Sequence, residues 1–233
     1  DQEKEQVLAA LFDSDHGCDF RLCRVPMGAN DYALDWYSHN ETPHDFEMQH
    51  FSITRDEKCL LPYIRSAIEY QPDMRLFASP WSPPTWMKQP PVYNYGRFID
   101  EASYYQAYAL YFLKFVETYR RAGIPVQQVH VQNEPDSNQR FPSCVWTAEK
   151  LLLFIRDFLG PLFEKVLPDC EIWLGTLERG EYDEWANVIL QDVTARKYIT
   201  GVGYQWAGRN AVLRTAVSHP EKLLLQTENE CRN

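Results

Sequence analysis

Six short apolar segments alternate with six helical patterns along this chain, and this alternation constrains the fold more than any other feature. The apolar segments have the length and composition of strands that are covered on both faces. They span residues 20–25, 75–79, 126–132, 171–175, 199–206 and 222–227. Helical patterns precede them at residues 3–12, 57–69, 101–121, 147–165, 181–191 and 209–218. Strict alternation predicts a parallel α/β sheet with functional residues at the carboxyl ends of its strands.

The helical pattern at residues 101–121 indicates where the core lies. Its aromatic residues recur at the i, i+4, i+7 spacing of one packed helix face. They are Tyr104, Tyr108, Tyr111, Phe112, Phe115 and Tyr119. We therefore predict that this stripe packs against the sheet rather than binding a ligand.

The number of strands bears on the architecture. A closed eight-stranded barrel usually takes about 250 residues, whereas this chain has 233 residues and its strand patterns fall two short of eight. The residues after the last strand pattern are too few for a further helix. We therefore predict an incomplete (β/α)8 TIM barrel that forms one domain over residues 1–233.

Composition argues against several classes of protein. The net charge of −10 and the pI near 5.1 argue against a nucleic-acid surface, and no Lys/Arg cluster offsets them. No apolar run approaches the 18 residues of a membrane-spanning helix. The cysteines at positions 18, 23, 59, 144, 170 and 231 form no C-x-x-C pair, and His130 has no cluster of ligands beside it. We therefore expect mostly buried, reduced thiols, no metal and no cofactor, while the oligomeric state stays open.

Two glutamates follow strand patterns and point to a reaction. Glu134 follows the apolar run at 126–131 and stands between Asn133 and Pro135. Glu228 directly follows the last strand pattern. Glu230 is the alternative at that strand end, and we prefer Glu228 because it directly follows the strand. Two carboxyl groups from different strands are what glycoside hydrolysis requires. An amide beside the acid, such as that of Asn133, can bind a sugar hydroxyl next to the reacting carbon.

Several motifs resemble glycoside hydrolase family 30, the family of the acid β-glucosidase that cleaves glucosylceramide. The likeness runs from about residue 8 to residue 231. Its most specific parts are Arg24-Val25-Pro26-Met27 and Phe77-Ala78-Ser79-Pro80-Trp81-Ser82-Pro83-Pro84-Thr85-Trp86, followed by Asn133-Glu134-Pro135 and Thr227-Glu228. The resemblance implies that barrel strands 2 to 7 are present, and that strands 1 and 8 and the accessory β-domain are missing. It also favours a secreted, periplasmic or lysosomal protein.

The resemblance assigns roles to individual residues of a retaining β-glycosidase. Glu134 would be the acid/base and Glu228 the nucleophile, with their carboxyl groups about 5–5.5 Å apart. Arg24 would keep the nucleophile ionised and oriented. The remaining residues implied to bind substrate are Asp31, Trp81, Asn133, Gln205 and Trp206.

The substrate is less constrained than the chemistry. Gln205-Trp206-Ala207 stands where the members that cleave glucosylceramide carry His-Trp-Tyr. A soluble β-glucan or β-glucoside is therefore as plausible a substrate as glucosylceramide. Trp86 could line the cleft or pack in the core. The other possibilities are a xylan-active member of the family, a non-catalytic carbohydrate-binding barrel and a protein-interaction scaffold. Ser79 and Ser82 lack the pattern of a nucleophile elbow, which argues against a serine hydrolase.

Overall fold

The main sheet is made of six parallel strands. A computed structural model describes residues 2–230. The strands are β1 (Leu22–Pro26), β2 (Arg75–Ser79), β5 (Val126–His130), β6 (Glu171–Leu177), β7 (Ile199–Gln205) and β8 (Leu223–Glu228), and they are hydrogen-bonded in that order. A short antiparallel pair, β3 (Lys88–Gln89) and β4 (Arg97–Phe98), lies in the connection between β2 and β5. The predicted strands and their parallel arrangement are thus confirmed.

One helix precedes β1, and the others lie in the connections between the strands. The helices are α1 (Gln2–Phe12), α2 (Leu60–Tyr70), α3 (Ala102–Arg121), α4 (Ala148–Phe154), α5 (Gly160–Val166), α6 (Ala186–Gln191), α7 (Val193–Tyr198) and α8 (Val212–Ser218). A π-helical turn at Ile155–Leu159 joins α4 to α5, so the segment predicted as one helix at 147–165 is one rod with a wider turn inside it. A 3₁₀ turn at Trp206–Ala211 leads into α8.

The structure differs from the sequence prediction at several element ends and by one additional helix. The first strand begins at Leu22 because the Phe20 amide is bonded to the Leu11 carbonyl instead of to the sheet. The helix predicted at 181–191 begins only at Ala186, and α7 was not predicted. Asp192 separates the two helices because its side chain accepts from the Ala195 amide and caps a new helix.

The sheet is curled rather than flat. In a flat sheet of six strands the outer two would lie ~24 Å apart, since each step between strands is ~4.8 Å. Here the Arg24 guanidinium of β1 donates to the Glu228 carboxylate of β8. The outer strands therefore converge at their carboxyl ends, as in a (β/α)8 barrel that lacks part of its wall.

The core lies between the sheet and its covering helices. The aromatic stripe of α3 is buried as predicted, with Tyr104 the most exposed of the six at 8%. Trp146 stacks on Phe98 with centroids 4.6 Å apart, and Tyr108 stacks on Phe154 at 5.3 Å. Each buried aromatic or large aliphatic side chain stabilises the fold by roughly 1.5–3 kcal/mol, so this layer fixes the helices against the strands.

The two outer strands of the sheet are less protected than the inner ones. Val129 of β5 is fully buried, whereas Leu22 of β1 and Leu223 of β8 are 40% and 57% exposed. Within residues 2–230, β1 pairs only with β2 and β8 pairs only with β7. The predicted incomplete barrel is therefore confirmed, with one open gap between β8 and β1. Within the same range, no helix is long and apolar enough to cross a bilayer.

Candidate active site

Polar side chains from all six parallel strands, or from the turns directly after them, meet at one end of the sheet. Because the strands are parallel, their carboxyl ends lie at the same edge. The side chains that form the network there are Arg24, Ser79, Asn133, Glu134, Thr176, Gln205, Thr227 and Glu228. The structure therefore brings together sequence segments that lie far apart along the chain.

The turn after β5 fixes the backbone of Asn133 and Glu134. The Asn133 amide donates to the Pro80 carbonyl at 2.9 Å, and the Glu134 amide donates to the Thr176 carbonyl at 3.0 Å. Glu134 has a positive φ of 45°, a conformation that costs about 1–3 kcal/mol in a non-glycine residue. Bonds to both neighbouring chain segments hold this backbone in place, and Pro135 then redirects the chain away from the sheet.

Arg24 is the central cation of the site. Its Nε donates to Ser79 Oγ at 2.7 Å, and its terminal nitrogens donate to the Glu228 carboxylate and to Asn133 Oδ1, the latter at 2.8 Å. The guanidinium carbon also lies 4.2 Å from the centroid of the Trp81 ring, which is a cation–π geometry. Burial lowers the pKa of Arg24, and the Glu228 charge opposes that effect. The bonds to Ser79 and Asn133 therefore hold the guanidinium where it donates to the Glu228 carboxylate.

Glu134 is a carboxyl group whose surroundings favour its protonated form. Burial raises its pKa, and the charge of Glu228 raises it further. Hydrogen bonds to its side chain from Gln205, Ser137 and Trp206 act in the opposite direction. The Gln205 bond runs from Nε2 to Glu134 Oε1 at 3.0 Å. The net pKa remains above the ordinary value, which suits a proton donor.

Gln205 connects Glu134 to the rest of the site. Its Nε2 also donates to Asn133 Oδ1 at 3.2 Å, and its Oε1 accepts from Thr227 Oγ1 at 2.9 Å. These contacts fix which end of the amide faces Glu134. A continuous chain of hydrogen bonds therefore runs from Glu134 through Gln205, Asn133 and Arg24 to Glu228.

The other residues predicted to bind substrate border this network. Trp81 is largely buried under Arg24, and Asp31 lies exposed in the loop after β1, where its charge acts on Arg24. Trp206 opens the turn after β7 and is 38% exposed. Glu230 lies two residues beyond the end of β8, so Glu228 is the glutamate that the strand itself positions.

Trp86, whose place the sequence left open, and His130 both lie in the core. Trp86 is buried, its centroid is 5.5 Å from that of Phe46, and its Nε1 donates to the Asn40 carbonyl at 3.0 Å, so it packs in the core. His130 lies between Phe77 and Trp173, with centroid distances of 4.5 and 5.2 Å. Burial lowers the pKa of His130 well below its usual value, so this histidine is neutral, as expected for a core group.

Sequence reasoning missed two polar partners of Arg24. Ser79 was considered only as a possible nucleophile, whereas its hydroxyl accepts from Arg24. Thr176 was not singled out, although its hydroxyl donates to Asn133 Oδ1 at 3.1 Å and lies 3.4 Å from Arg24. A polar residue in the last positions of an apolar strand was the available signal in both cases.

Cysteine pairing and metal binding can be assessed for residues 2–230. The cysteines at positions 18, 23, 59, 144 and 170 are free thiols, and Cys144 and Cys170 are buried. Cys231 lies outside the described residues. Within the described range, no group of three or more His, Cys, Asp or Glu side chains is arranged to hold a metal ion.

The fold and this network define a barrel with a two-carboxyl cleft, and comparison with known proteins identifies the family. Residues 1–232 match the glycosyl hydrolase family 30 TIM-barrel domain. The chain therefore belongs to glycosyl hydrolase family 30, and the resemblance in its motifs is confirmed.

Relatives and solved structures agree with this family. A Caenorhabditis elegans protein named as a candidate glucosylceramidase is 34% identical over 98% of this chain and 46% of its own length. The lysosomal acid glucosylceramidase of Mus musculus is 30% identical over 87% of this chain and 41% of its own. The chain thus spans less than half the length of these relatives.

Two solved structures share the fold closely. SrfJ from Salmonella typhimurium superimposes with a TM-score of 0.88 at 28% identity, covering 97% of this chain and 52% of SrfJ. The endo-β1,6-glucanase BT3312 superimposes with a TM-score of 0.86 at 27% identity, over the same share of each chain.

Proposed function

We propose that this chain carries the two catalytic carboxyl groups of a retaining β-glycosidase that acts on β-glucosides. The observation that carries the proposal is the hydrogen-bonded chain that joins Glu134 to Glu228 through Gln205, Asn133 and Arg24. It places a carboxyl group of raised pKa and a guanidinium-bound carboxylate at the same end of the sheet. That asymmetry is what a general acid and a nucleophile need.

In the first step, the two carboxyl groups act on the same glycosidic bond. The Glu228 carboxylate attacks the anomeric carbon and forms a glycosyl ester. At the same time Glu134 gives its proton to the leaving oxygen, so the aglycone departs as a neutral alcohol. Arg24 holds the Glu228 carboxylate in place for the attack.

In the second step, water releases the sugar. Glu134, now ionised, takes a proton from the water as it attacks the anomeric carbon. The ester bond to Glu228 breaks, and Glu228 leaves as a carboxylate. Two displacements at one carbon restore the β configuration of the substrate.

The residues around the carboxyl groups would hold the sugar. Asn133 would lie beside the reacting carbon, where a bond to the neighbouring sugar hydroxyl would strengthen in the transition state. Asp31 would bind outer hydroxyls from the loop after β1. The rings of Trp81 and Trp206 would pack against the sugar and the start of the aglycone.

Two substrates, which differ in their leaving groups, are candidates. The names of the C. elegans and mouse relatives favour glucosylceramide. Gln205, which stands where ceramide-cleaving members carry histidine, keeps a soluble β-1,6-glucan as the second candidate, and the likeness to an endo-β1,6-glucanase supports it.

The test uses the complete natural polypeptide that carries this sequence. It is incubated with an aryl β-glucoside, glucosylceramide, β-1,6-glucan and xylan, and the anomeric configuration of the first product is read by NMR. We expect hydrolysis of the aryl glucoside with a β product. A 2-deoxy-2-fluoro-β-glucoside with a good leaving group should label Glu228, and the label should be absent from Glu228→Gln.

Three outcomes would contradict the proposal. An α product would show that the mechanism is inverting rather than retaining. Cleavage of xylan alone would assign the protein to the xylan-active branch of the family. Binding of glucosides without any cleavage would support a carbohydrate-binding barrel instead.

A further inference from the structure

A second group of charged side chains lies beside Glu134 and has no part in the proposed mechanism. Glu178 directly follows β6 and is only 8% exposed. Ser137 lies in the turn after Glu134, and its hydroxyl donates to Glu178 Oε1 at 2.7 Å. Arg179 Nε donates to both Asp136 carboxylate oxygens, at 3.2 and 3.0 Å, and lies 3.9 Å from Glu178 Oε1. The cluster thus joins the turn after β5 to the end of β6.

The surroundings of Glu178 favour the protonated form of its carboxyl group. Burial raises its pKa, and a hydrogen bond to Asp136 together with the Asp136 charge raises it further. Two adjacent carboxyl groups do not readily ionise together. Arg179 forms its direct hydrogen bonds with Asp136 and lies farther from Glu178. Protonated Glu178 can then donate to Asp136 and accept from Ser137.

Ser137 connects this cluster to Glu134. The Ser137 amide donates to the Glu134 carbonyl at 3.0 Å. Its hydroxyl also stabilises the ionised Glu134 side chain and so lowers the pKa of Glu134. A serine hydroxyl has one proton, so it donates either to Glu178 or to Glu134. The hydrogen bond that Glu178 accepts therefore influences how readily Glu134 gives up its own proton.

We propose that Ser137 and Glu178 are positioning residues that hold the Glu134 carboxyl and set its readiness to donate a proton. The proposal rests on the proposed acid/base role of Glu134. Arg24 and Glu228 also act on Glu134, from the other side of the cleft. Among residues 2–230, the hydrogen bonds of Arg24 and Glu228 go to Ser79, Asn133, Thr176 and each other, so variants of Glu178 and Ser137 test the second cluster separately.

The first experiment compares two variants of Glu178 in the complete natural polypeptide. Glu178→Gln keeps a neutral group that can donate to Asp136 and accept from Ser137, whereas Glu178→Leu keeps neither ability. Both are assayed for kcat/KM on two aryl β-glucosides, one with a good leaving group and one with a poor leaving group. Only the poor leaving group needs a proton from Glu134.

A specific pattern of rates is expected. Glu178→Leu should lower kcat/KM about tenfold or more for the poor leaving group and no more than about threefold for the good one. Glu178→Gln should stay within about threefold of wild type on both. Equal losses on both substrates, or a Gln variant as impaired as the Leu variant, would overturn the proposal. Asp183→Asn, an exposed carboxylate in the same connection, serves as the matched control.

A second variant keeps the proposal testable if Glu178→Leu does not fold. Ser137→Ala removes a donor that lowers the pKa of Glu134, so the basic limb of the kcat/KM profile should move to higher pH. An unchanged limb in an active enzyme would overturn this proposal alone. A wild-type protein that hydrolyses neither glucoside would overturn the proposed function, and this proposal with it.

Discussion

The two carboxyl groups of the cleft lie in contrasting parts of the sheet. Glu134 follows β5, which has a strand on each side and buried residues at its end. Glu228 ends β8, an outer strand whose residues are all at least partly exposed. The backbone of Glu134 is bonded to the adjacent end of β6, whereas the Glu228 side chain is held across the gap by Arg24. The Glu134 side of the cleft is therefore anchored in the closed part of the sheet and the Glu228 side at its open edge.

The largest expected effect follows from that open edge. Residues 1–233 produced alone should be inactive and should self-associate, because β1 and β8 would present unpaired backbone groups and apolar side chains such as Leu22 and Leu223. The measurement is light scattering together with hydrolysis of an aryl β-glucoside, beside the complete natural polypeptide. A monodisperse, fully active 233-residue chain would show that the edge needs no partner.

The next largest effect concerns the contact that spans the gap. Arg24→Ala should lower kcat about 10²–10³-fold, since a fixed donor to a reacting carboxylate contributes on the scale of an oxyanion-hole group. Arg24→Lys should recover little of it, because an ammonium cannot bond Ser79, Asn133 and Glu228 in one plane. Steady-state kinetics on an aryl β-glucoside measure both.

A second arginine provides the control for that experiment. Arg75 begins β2, at the amino ends of the strands and thus at the end of the sheet opposite the cleft. It forms an exposed ion pair with Glu171 at 3.3 Å. Arg75→Ala should leave kcat unchanged, because exposed ion pairs contribute little. Equal losses in the Arg24 and Arg75 variants would mean that the sheet as a whole is disturbed, and that Arg24 has no special part in catalysis.

The sheet itself could be predicted from sequence because its information is local. Each inner strand is a short apolar run, and the aromatic stripe of α3 has a helical period that needs no knowledge of its partners. The ends of the helices were harder to predict, and the reason is again local. Asp192 interrupts what looks like one amphipathic region, and only its capping bond to the Ala195 amide reveals that a new helix starts there.

The inner arrangement of the site could not be predicted because it depends on contacts between distant parts of the chain. Arg24 and Thr176 are 152 positions apart, and nothing in either segment indicates the other. Gln205 was assigned to substrate, yet its amide is already committed to Asn133, Glu134 and Thr227. Strand-end position identified which residues face the cleft, and side-chain packing decided which of them bond one another.

A smaller effect concerns the stability of the closed part of the sheet. Ile172 in β6 is 3% exposed, so Ile172→Val should lower the free energy of unfolding by about 0.5–1.5 kcal/mol in the complete polypeptide. Val193→Ala, at an exposed position in α7, should change it by no more than about 0.5 kcal/mol. Urea unfolding measures both. If neither variant alters the pH profile, the stability of the closed part is separable from the chemistry of the cleft.

The smallest expected effect concerns the hydroxyl of Thr227 in β8, which bonds the Gln205 side chain that in turn bonds Glu134. Thr227→Val removes the donor to Gln205 Oε1, so the amide of Gln205 is held less firmly against Glu134. Since Gln205 lowers the pKa of Glu134, weakening its bond should move the basic limb of the kcat/KM profile to higher pH. The loss in kcat/KM should be about two- to threefold, at the low end for one neutral hydrogen bond. Thr227→Ser keeps the hydroxyl and should match wild type, and a shifted limb in the serine variant would place the effect in the packing of β8 instead.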